Sequence, residues 1–474
     1  KKHIPKMATP YIVGPGDKVI LVTSDDHRFF VTAEPNETVR FLKKHVNVGT
    51  IIGAYFGDVF EIGERKLVYL PGEKHLKRSD ASSAALSENA ATTQDNRDLT
   101  DSGSVHQNLQ PEDIAQMRTS GATGEEIIDA LVKNSSTWES KTQFSQQKWL
   151  ARKEQKYAPR LRVVRCDSPE VCESYFLKHR EKVGALRPDS LAQILAFSNV
   201  SAGMTVTVFD TCMGVVVSAV AERLGGHGRI LAPYAGTHPA ADAMRNFNFS
   251  DAIEDSVVFF HTSEMGKLEA TRGEPVPLDE SPDEIESKIQ EMLTSIPPFL
   301  EAKLAGFKRD AKGQKEKRLF EDKREARIRR QFRKPPPASI RHWLRDNISE
   351  SLIIATPGFD ATEILLKLWP TLAPSAPFVI FSEYSEPLVQ CFREVQRRQM
   401  ACKLQLSDTW CREYQVLPGR THPSMHMSSS GGFILTGVKV NKRNDGWVFV
   451  EKSLVLSSQS PPAAKRVKHE EEAP

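Results

Sequence analysis

An α/β domain of the doubly wound kind, preceded by a small all-β domain, is the fold class that this sequence predicts. Val206–Phe209 is an apolar run of strand length, and Val215–Leu224 is a helical stretch closed by Gly225-Gly226. Apolar runs recur at Val257–His261, Ser351–Ala355, Phe378–Phe381, Lys403–Leu406 and Gly432–Val440, with helical stretches at Ala361–Leu368 and Pro387–Arg398. Upstream, Lys18–Val22, Phe29–Thr32, Gly49–Ile52, Val59–Ile62 and Lys66–Tyr69 alternate with turns rich in Gly, Asp and Pro, the spacing of a small β-barrel. At 474 residues the chain has room for two or three domains.

In chain order, residues 11–75 form the expected N-terminal β-barrel domain. Residues 76–108 turn to Ser, Ala, Asp, Asn and Thr without an aromatic, the composition of a disordered linker. Residues 109–160 read as a basic helical region: Pro111-Glu112-Asp113 suits a first turn, Gly121 and Gly124 interrupt, and Glu125–Lys133 resumes. Its end, Lys141–Arg165, carries Lys141, Lys148, Arg152, Lys153, Lys156, Arg160, Arg162 and Arg165 with Phe144, Trp149 and Tyr157 among them. Charge mixed with rings that can stack on bases suits RNA.

The α/β domain is expected over 161–456, with a charged insertion at about 265–345. Within it Phe307–Lys334 holds thirteen Lys/Arg against five Asp/Glu, which predicts a projecting solvated helix ending at Pro335-Pro336-Pro337. The tail 457–474 contains Lys465, Arg466 and Lys468 shortly after Pro462, a short basic form read by nuclear import receptors.

Bulk properties exclude several classes. The net charge of +3 gives no global polyelectrolyte argument, and no apolar run is long enough to span a membrane. Six cysteines form no CxxC pair, so reduced thiols and no metal site are expected.

The turn after Val206–Phe209 is where a doubly wound domain takes a cofactor, and close approach needs glycines. Here it is Asp210-Thr211-Cys212-Met213-Gly214, with one glycine and a bulky Met. A class I methyltransferase also needs an acid after its second strand to hold the ribose of S-adenosylmethionine. After Arg229–Leu231 stands Ala232-Pro233-Tyr234-Ala235-Gly236, without one. The strand Leu352–Ala355 ends in Thr356-Pro357-Gly358-Phe359, again without a carboxylate to act as base, and Asp360 is a weak substitute. Asp210 is expected to cap the next helix. His422 has no nucleophile partner in sequence, and Ser428–Gly432 reads as a turn before a strand rather than a phosphate cradle. The expectation is therefore no catalytic residue and no cofactor site in this chain, the loop Asp210, Cys212, Met213, Gly214 being degenerate.

Several separated motifs, in order, resemble the non-catalytic subunit of the eukaryotic tRNA (adenine-58-N1)-methyltransferase. They are Gln110–Ile128, Arg187–Leu195, Asp210–Gly214, Glu222–Gly226, Leu406–Trp410, Tyr414–Pro423 and Gly431–Leu435, within a resemblance running from about Gly14 to Gly437. The linker and Met265–Arg345 match poorly. The resemblance implies an N-terminal β-barrel and a Rossmann-like domain without its own cofactor. It implies pairing with a homologous catalytic subunit that binds S-adenosylmethionine, in an α2β2 heterotetramer that methylates a T-loop adenine and grips tRNA across both subunits. Two other readings stay open: an active S-adenosylmethionine-dependent RNA methyltransferase with a divergent loop, and a pure RNA-binding scaffold in a translation-related complex.

With tRNA as ligand, the expected contacts are Arg97, Lys148, Arg152, Lys153, Lys156, Tyr157, Lys178, Arg180, Lys182, Arg327, Arg330, Arg397, Arg398, Lys403, Gln415, Arg420 and His422. Subunit association is expected on the strands Phe378–Phe381 and Gly432–Val440 with their adjoining helices. Lys465, Arg466 and Lys468 imply an import receptor and a nuclear location; no membrane partner is expected.

Overall fold

A computed structural model describes residues 11–72, 108–267, 282–295 and 337–440 with short gaps, together with scattered positions between 304 and 328. Arg97, Arg327, Arg330, Arg420, Lys465, Arg466 and Lys468 lie outside the described residues, as do 73–107 and the tail beyond Val440.

The N-terminal strands are β1 (Lys18–Thr23), β2 (Arg28–Thr32), β3 (Thr38–Phe41), β4 (Lys44–Asn47), β5 (Val59–Ile62) and β6 (Leu67–Tyr69). Among the described residues there follow α1 (Pro111–Thr119), α2 (Gly124–Lys133) and α3 (Gln143–Tyr157), and then β7 (Arg160–Arg165). The sheet order is β2-β1-β7-β5-β6, antiparallel throughout, with β3 and β4 a separate hairpin. Among the described residues this is an open sheet, and the expected barrel does not close.

Two local expectations change. Gly49–Ile52 does not form a strand: Gly49–Ile51 is a 3-10 turn, because Asn47 Oδ1 accepts the Gly49 N–H at 2.7 Å and the backbone passes hard against Pro35. Arg160–Arg165, read as the end of the basic helical region and the start of the α/β domain, is the central strand of the N-terminal sheet. Its alternation buries Leu161 and Val163 on one side, so a boundary at 160/161 falls inside β7.

The second sheet is built on α4 (Ser168–His179), α5 (Pro188–Phe197), β8 (Thr205–Asp210), α6 (Val215–Leu224), β9 (Arg229–Tyr234), α7 (Asp251–Asp255) and β10 (Val257–His261). After α8 (Pro282–Thr294) and α9 (Pro337–Arg345) come β11 (Ser351–Ala355), α10 (Ala361–Leu368), β12 (Pro377–Ser382), α11 (Ser385–Arg397), β13 (Ala401–Trp410), the short pair β14 (Tyr414–Gln415) and β15 (His422–Pro423), and β16 (Ser430–Lys439). The order is β10-β9-β8-β11-β12-β16-β13, parallel except for β16. This is the expected Rossmann-like sheet, and the order reverses between β8 and β11, where such sheets take ligands.

Among its described residues the charged insertion is mixed, with Gln314, Lys317, Arg318, Glu321 and Asp322 exposed. Ile289 and Ile328 are buried, and Arg324 donates to the carbonyls of Met292, Leu293 and Ser295 at the end of α8. Pro337, the last of the proline run, opens α9, where a missing N–H costs nothing. Ile340 and Leu344 return to the sheet against Leu231, Val258 and Phe260. Trp343 stacks under the Arg229 guanidinium at 3.6 Å, and Arg341 pairs with Glu264 at 2.7 Å. Residues 337–345 thus belong to the α/β core.

The two sheets share apolar contacts: Ile20 and Val22 from the first pack in one cluster with Val208 of the second and with Val171 and Val220 of its helices. Arg28 pairs with Glu170 at 2.5 Å, and Lys18 and Asn248 exchange two backbone–side-chain hydrogen bonds of 2.7 Å.

Candidate functional site

The turn after β8 is closed by the chain's own atoms. Asp210 Oδ1 accepts the Cys212 N–H at 2.6 Å, and Oδ2 accepts the Val217 N–H at 2.9 Å. The carboxylate thus caps α6, as expected, with both of its oxygens engaged by the backbone of the turn and the helix. Burial pushes this carboxyl up to about 6, against the pull of the backbone donors Val217, Cys212, Val216 and Gly214.

Beside Cys212 and Met213, the loop after β9 also crowds this turn. Cys212 points into the core, and Met213 adopts the left-handed conformation at φ 60°, followed by Gly214 at φ 78°. A Cβ on Gly214 would stand 2.7 Å from Ala241 Cα and 2.8 Å from the Ala240 carbonyl. The loop after β9 therefore packs directly against this glycine, and it also donates the Ala243 N–H to the Met213 carbonyl at 2.9 Å. That loop is fastened in turn to the first sheet and to α4. Lys18 Nζ donates to the Phe247 carbonyl at 2.9 Å, and Asn246 Nδ2 to the Tyr175 hydroxyl at 3.0 Å.

The other strand ends agree. β9 runs three residues further than expected and ends on Tyr234, whose ring meets His261 edge-on at 5.6 Å. Asp360 caps α10 through the Thr362 N–H at 2.8 Å, which accounts for its carboxylate. Among the described residues no group of His, Cys, Asp and Glu could hold a metal, and no helix is long and apolar enough to cross a membrane. Cys166, Cys172, Cys212 and Cys391 are buried and Cys402 and Cys411 exposed, none in a disulfide.

The motifs after Arg187 converge on one buried polar cluster whose role sequence reasoning missed. The Arg187 guanidinium grips Asp189 at 2.9 and 2.5 Å and donates to the carbonyls of Thr409 (3.1 Å) and Ser428. Ser190 Oγ donates to the Gly431 carbonyl at 2.6 Å and lies 2.7 Å from Thr409 Oγ1. A Cβ on Gly431 would sit 2.5 Å from Thr409 Oγ1, so the Ser428–Gly432 turn is packed rather than open to phosphate. The cluster clamps α5 to the β13–β16 pair and so holds the β14–β15 extension. There Gln415 and His422 face each other, Nε2 to Nε2 at 3.1 Å.

The expected RNA contacts fall on separate elements. On α3, Lys148, Arg152 and Lys156 are exposed, one turn apart. Beside them Lys153 is half-buried, its ammonium 5.2 Å from the Trp149 ring and 5.8 Å from Tyr157, with Trp138 edge-on to Trp149 at 5.2 Å. Lys156 also lies 5.1 Å over Tyr157. The first three form a row at about 6 Å axial spacing, while Lys153 is engaged by rings.

Lys178, Arg180 and Lys182 are exposed at the end of α4 and in the loop beyond. Lys178 lies over Phe29 and Phe30 and Arg180 over Phe176; burial lowers the Lys178 ammonium below its ordinary range. Arg397 and Arg398 both grip Glu394, at 2.7 and 2.5 Å, holding that carboxyl down to about 2. Exposed Lys403 stands beyond them on β13. The α3 row is thus the arrangement most clearly open to phosphates.

The family description matching this chain is the Gcd10p family, over residues 12–292. A curated relative in Dictyostelium discoideum, named tRNA (adenine(58)-N(1))-methyltransferase non-catalytic subunit, is 32% identical over 436 residues, covering 92% of this chain and 80% of its own. Its namesake in Mus musculus is 31% identical over 447 residues, covering 90% and 88%. Among solved structures, a tRNA (m1A58) methyltransferase from Aquifex aeolicus aligns over 91% of this chain and 100% of its own, at TM-score 0.41 and 10% identity. An S-adenosylmethionine-dependent O-methyltransferase from Thermotoga maritima aligns over 91% and 96%, at TM-score 0.44 and 11% identity.

Proposed function

We propose that this chain, which belongs to the Gcd10p family, is the tRNA-binding, non-catalytic subunit of a tRNA (adenine(58)-N(1))-methyltransferase. The observation that carries the reading is a Rossmann-like domain whose cofactor turn, with a single glycine, packs against residues 240–243 and whose Asp210 caps the following helix. Such a domain cannot activate a methyl donor, so S-adenosylmethionine belongs to a homologous catalytic subunit. The divergent-methyltransferase alternative would require the loop after β9 to leave the turn.

The exposed row on α3 supplies the tRNA contact, assisted by Lys178, Arg180, Lys182, Arg397, Arg398, Lys403, Gln415 and His422. Arg97, Arg327, Arg330 and Arg420 extend the proposal to residues outside those described. The partner surface is better sought on the β13 edge than on the strands Phe378–Phe381 and Gly432–Val440. Those strands lie inside the sheet, between β11 and β13, with β12 almost wholly buried. β13 is the outer strand, and its last residue Trp410 and, beyond it, Tyr414, Val416 and Met425 are exposed. An α2β2 heterotetramer is the assembly proposed.

Co-expression with a homologous subunit carrying an intact glycine-rich loop is the test. The two chains are expected to co-purify in equal amounts and to methylate tRNA only together. A chain that methylates tRNA alone would overturn the reading in favour of the divergent enzyme. One that binds RNA but captures no such partner would leave the scaffold.

The location proposed is the nucleus, through an import receptor reading Lys465, Arg466 and Lys468. A reporter carrying Ser457–Pro474 should accumulate in the nucleus, and Lys465→Ala with Arg466→Ala should abolish that. Equal accumulation would show that the signal lies elsewhere.

A further inference from the structure

Arg160, which composition groups with the basic cluster around α3, is not part of the exposed row. Its side chain is 5% exposed, and Nη2 donates to Glu125 Oε1 at 2.6 Å. Glu61 lies opposite Arg160 in the β5–β7 pairing, and its Oε1 accepts the Gly124 N–H at 3.3 Å. The first turn of α2 is therefore fastened to two adjacent strands, with a carboxylate placed at the positive end of the helix. Burial raises the Glu61 carboxyl, opposed by the Gly124 N–H and by Arg160.

The same point is the root of α3. A Cβ on Gly124 would stand 2.5 Å from the carbonyl oxygen of Tyr157, the last residue of α3, and 2.6 Å from Ala158 Cβ. Only Ala158 and Pro159 separate α3 from Arg160. The internal fold of the hairpin has its own supports. Thr123 and Glu126 form a capping box, and Ile127, Ile128 and Leu131 are buried. Arg160 thus bears on how the hairpin stands on the sheet rather than on whether its helices form.

We propose that Arg160 is a positioning residue for tRNA. With Glu125 and Glu61 it sets the angle at which the α2–α3 hairpin presents Lys148, Arg152 and Lys156 to phosphates, without touching RNA itself. The proposal rests on the reading that α3 binds tRNA.

The test uses the complex with the catalytic subunit, with Cys402→Ser and Cys411→Ser as background and spin labels on exposed Gln155 and Val68. Arg160→Met should broaden the distance between the labels, weaken tRNA binding about tenfold and lower the salt slope by about one. Assembly and helix content should be unchanged. Arg160→Lys should restore most of the affinity, and Glu125→Ala should add nothing on top of Arg160→Met. An unchanged distance, or a tRNA loss that follows only a fall in melting temperature with no change in salt slope, would overturn the proposal. If replacing Lys148, Arg152 and Lys156 leaves tRNA binding unchanged, the RNA reading of α3 falls and this proposal with it. If that replacement weakens binding while Arg160→Met does not, only the positioning role falls.

Discussion

Calorimetric titration of the chain by itself with S-adenosylmethionine should give no binding heat at ligand concentrations of about 1 mM, equivalent to less than about 4 kcal/mol of binding free energy. Met213→Gly should not change that. If side-chain bulk were the obstacle, removing it would open the turn and recover some affinity. The structure assigns the obstruction to the Ala240–Ala241 backbone, held through Ala243, Asn246 and Phe247. Opening the site would mean moving a loop bonded to both the first sheet and α4, and it would still leave Tyr234 where the ribose needs an acid. Micromolar binding by the parent chain would overturn the non-catalytic assignment. Binding gained by Met213→Gly alone would instead return the obstruction to that side chain.

The difference between those two explanations marks how far the sequence is legible. The Asp210 cap could be read from its position because the bonds run only two and seven residues along the chain. The plug over Gly214 could not, because Ala241 reaches it across a strand and a helix. The same holds for Arg187: its bond to Asp189 is local, but Thr409 and Ser428 stand more than two hundred residues away. Motifs that appear separately in the sequence turn out to be the two sides of one clamp.

The fold divides in the same way. Parallel strands buried on both faces, such as Ser351–Ala355 and Phe378–Phe381, announce themselves as unbroken apolar runs. β7 was hidden by its own charges. Arg160, Arg162 and Arg165 suggest a continuing basic helix, while the alternation of Leu161 and Val163 carries the strand signal over only six residues. Whether short strands close into a barrel depends on pairing between the first and last of them, which no local pattern encodes. β2 and β6 remain at opposite edges.

Replacing Lys148, Arg152 and Lys156 together with Ala should weaken tRNA binding by the complex about 10- to 100-fold near physiological salt and reduce the salt slope by about 2. Spacing alone would also have included Lys153. It is instead half-buried where the other three are exposed, and its ammonium lies near both Trp149 and Tyr157, whereas Lys156 meets Tyr157 alone. Each exposed ammonium or guanidinium that neutralises a phosphate releases counterions, adding roughly 0.7 to 0.9 to the slope, so three such contacts account for at least about 2. Lys153→Ala should therefore change the slope by less than any member of the row, acting instead through the packing of its two rings. The row projects away from the buried side of α3, where Glu154 packs, so its removal should leave melting temperature and subunit assembly unchanged. A triple variant with the parent's salt slope would remove α3 from the tRNA interface and shift the phosphate contacts to Lys178, Arg180 and Lys182 or to Arg397, Arg398 and Lys403. Glu394 already offsets part of the latter patch's charge by gripping both arginines, which is why α3 is expected to dominate.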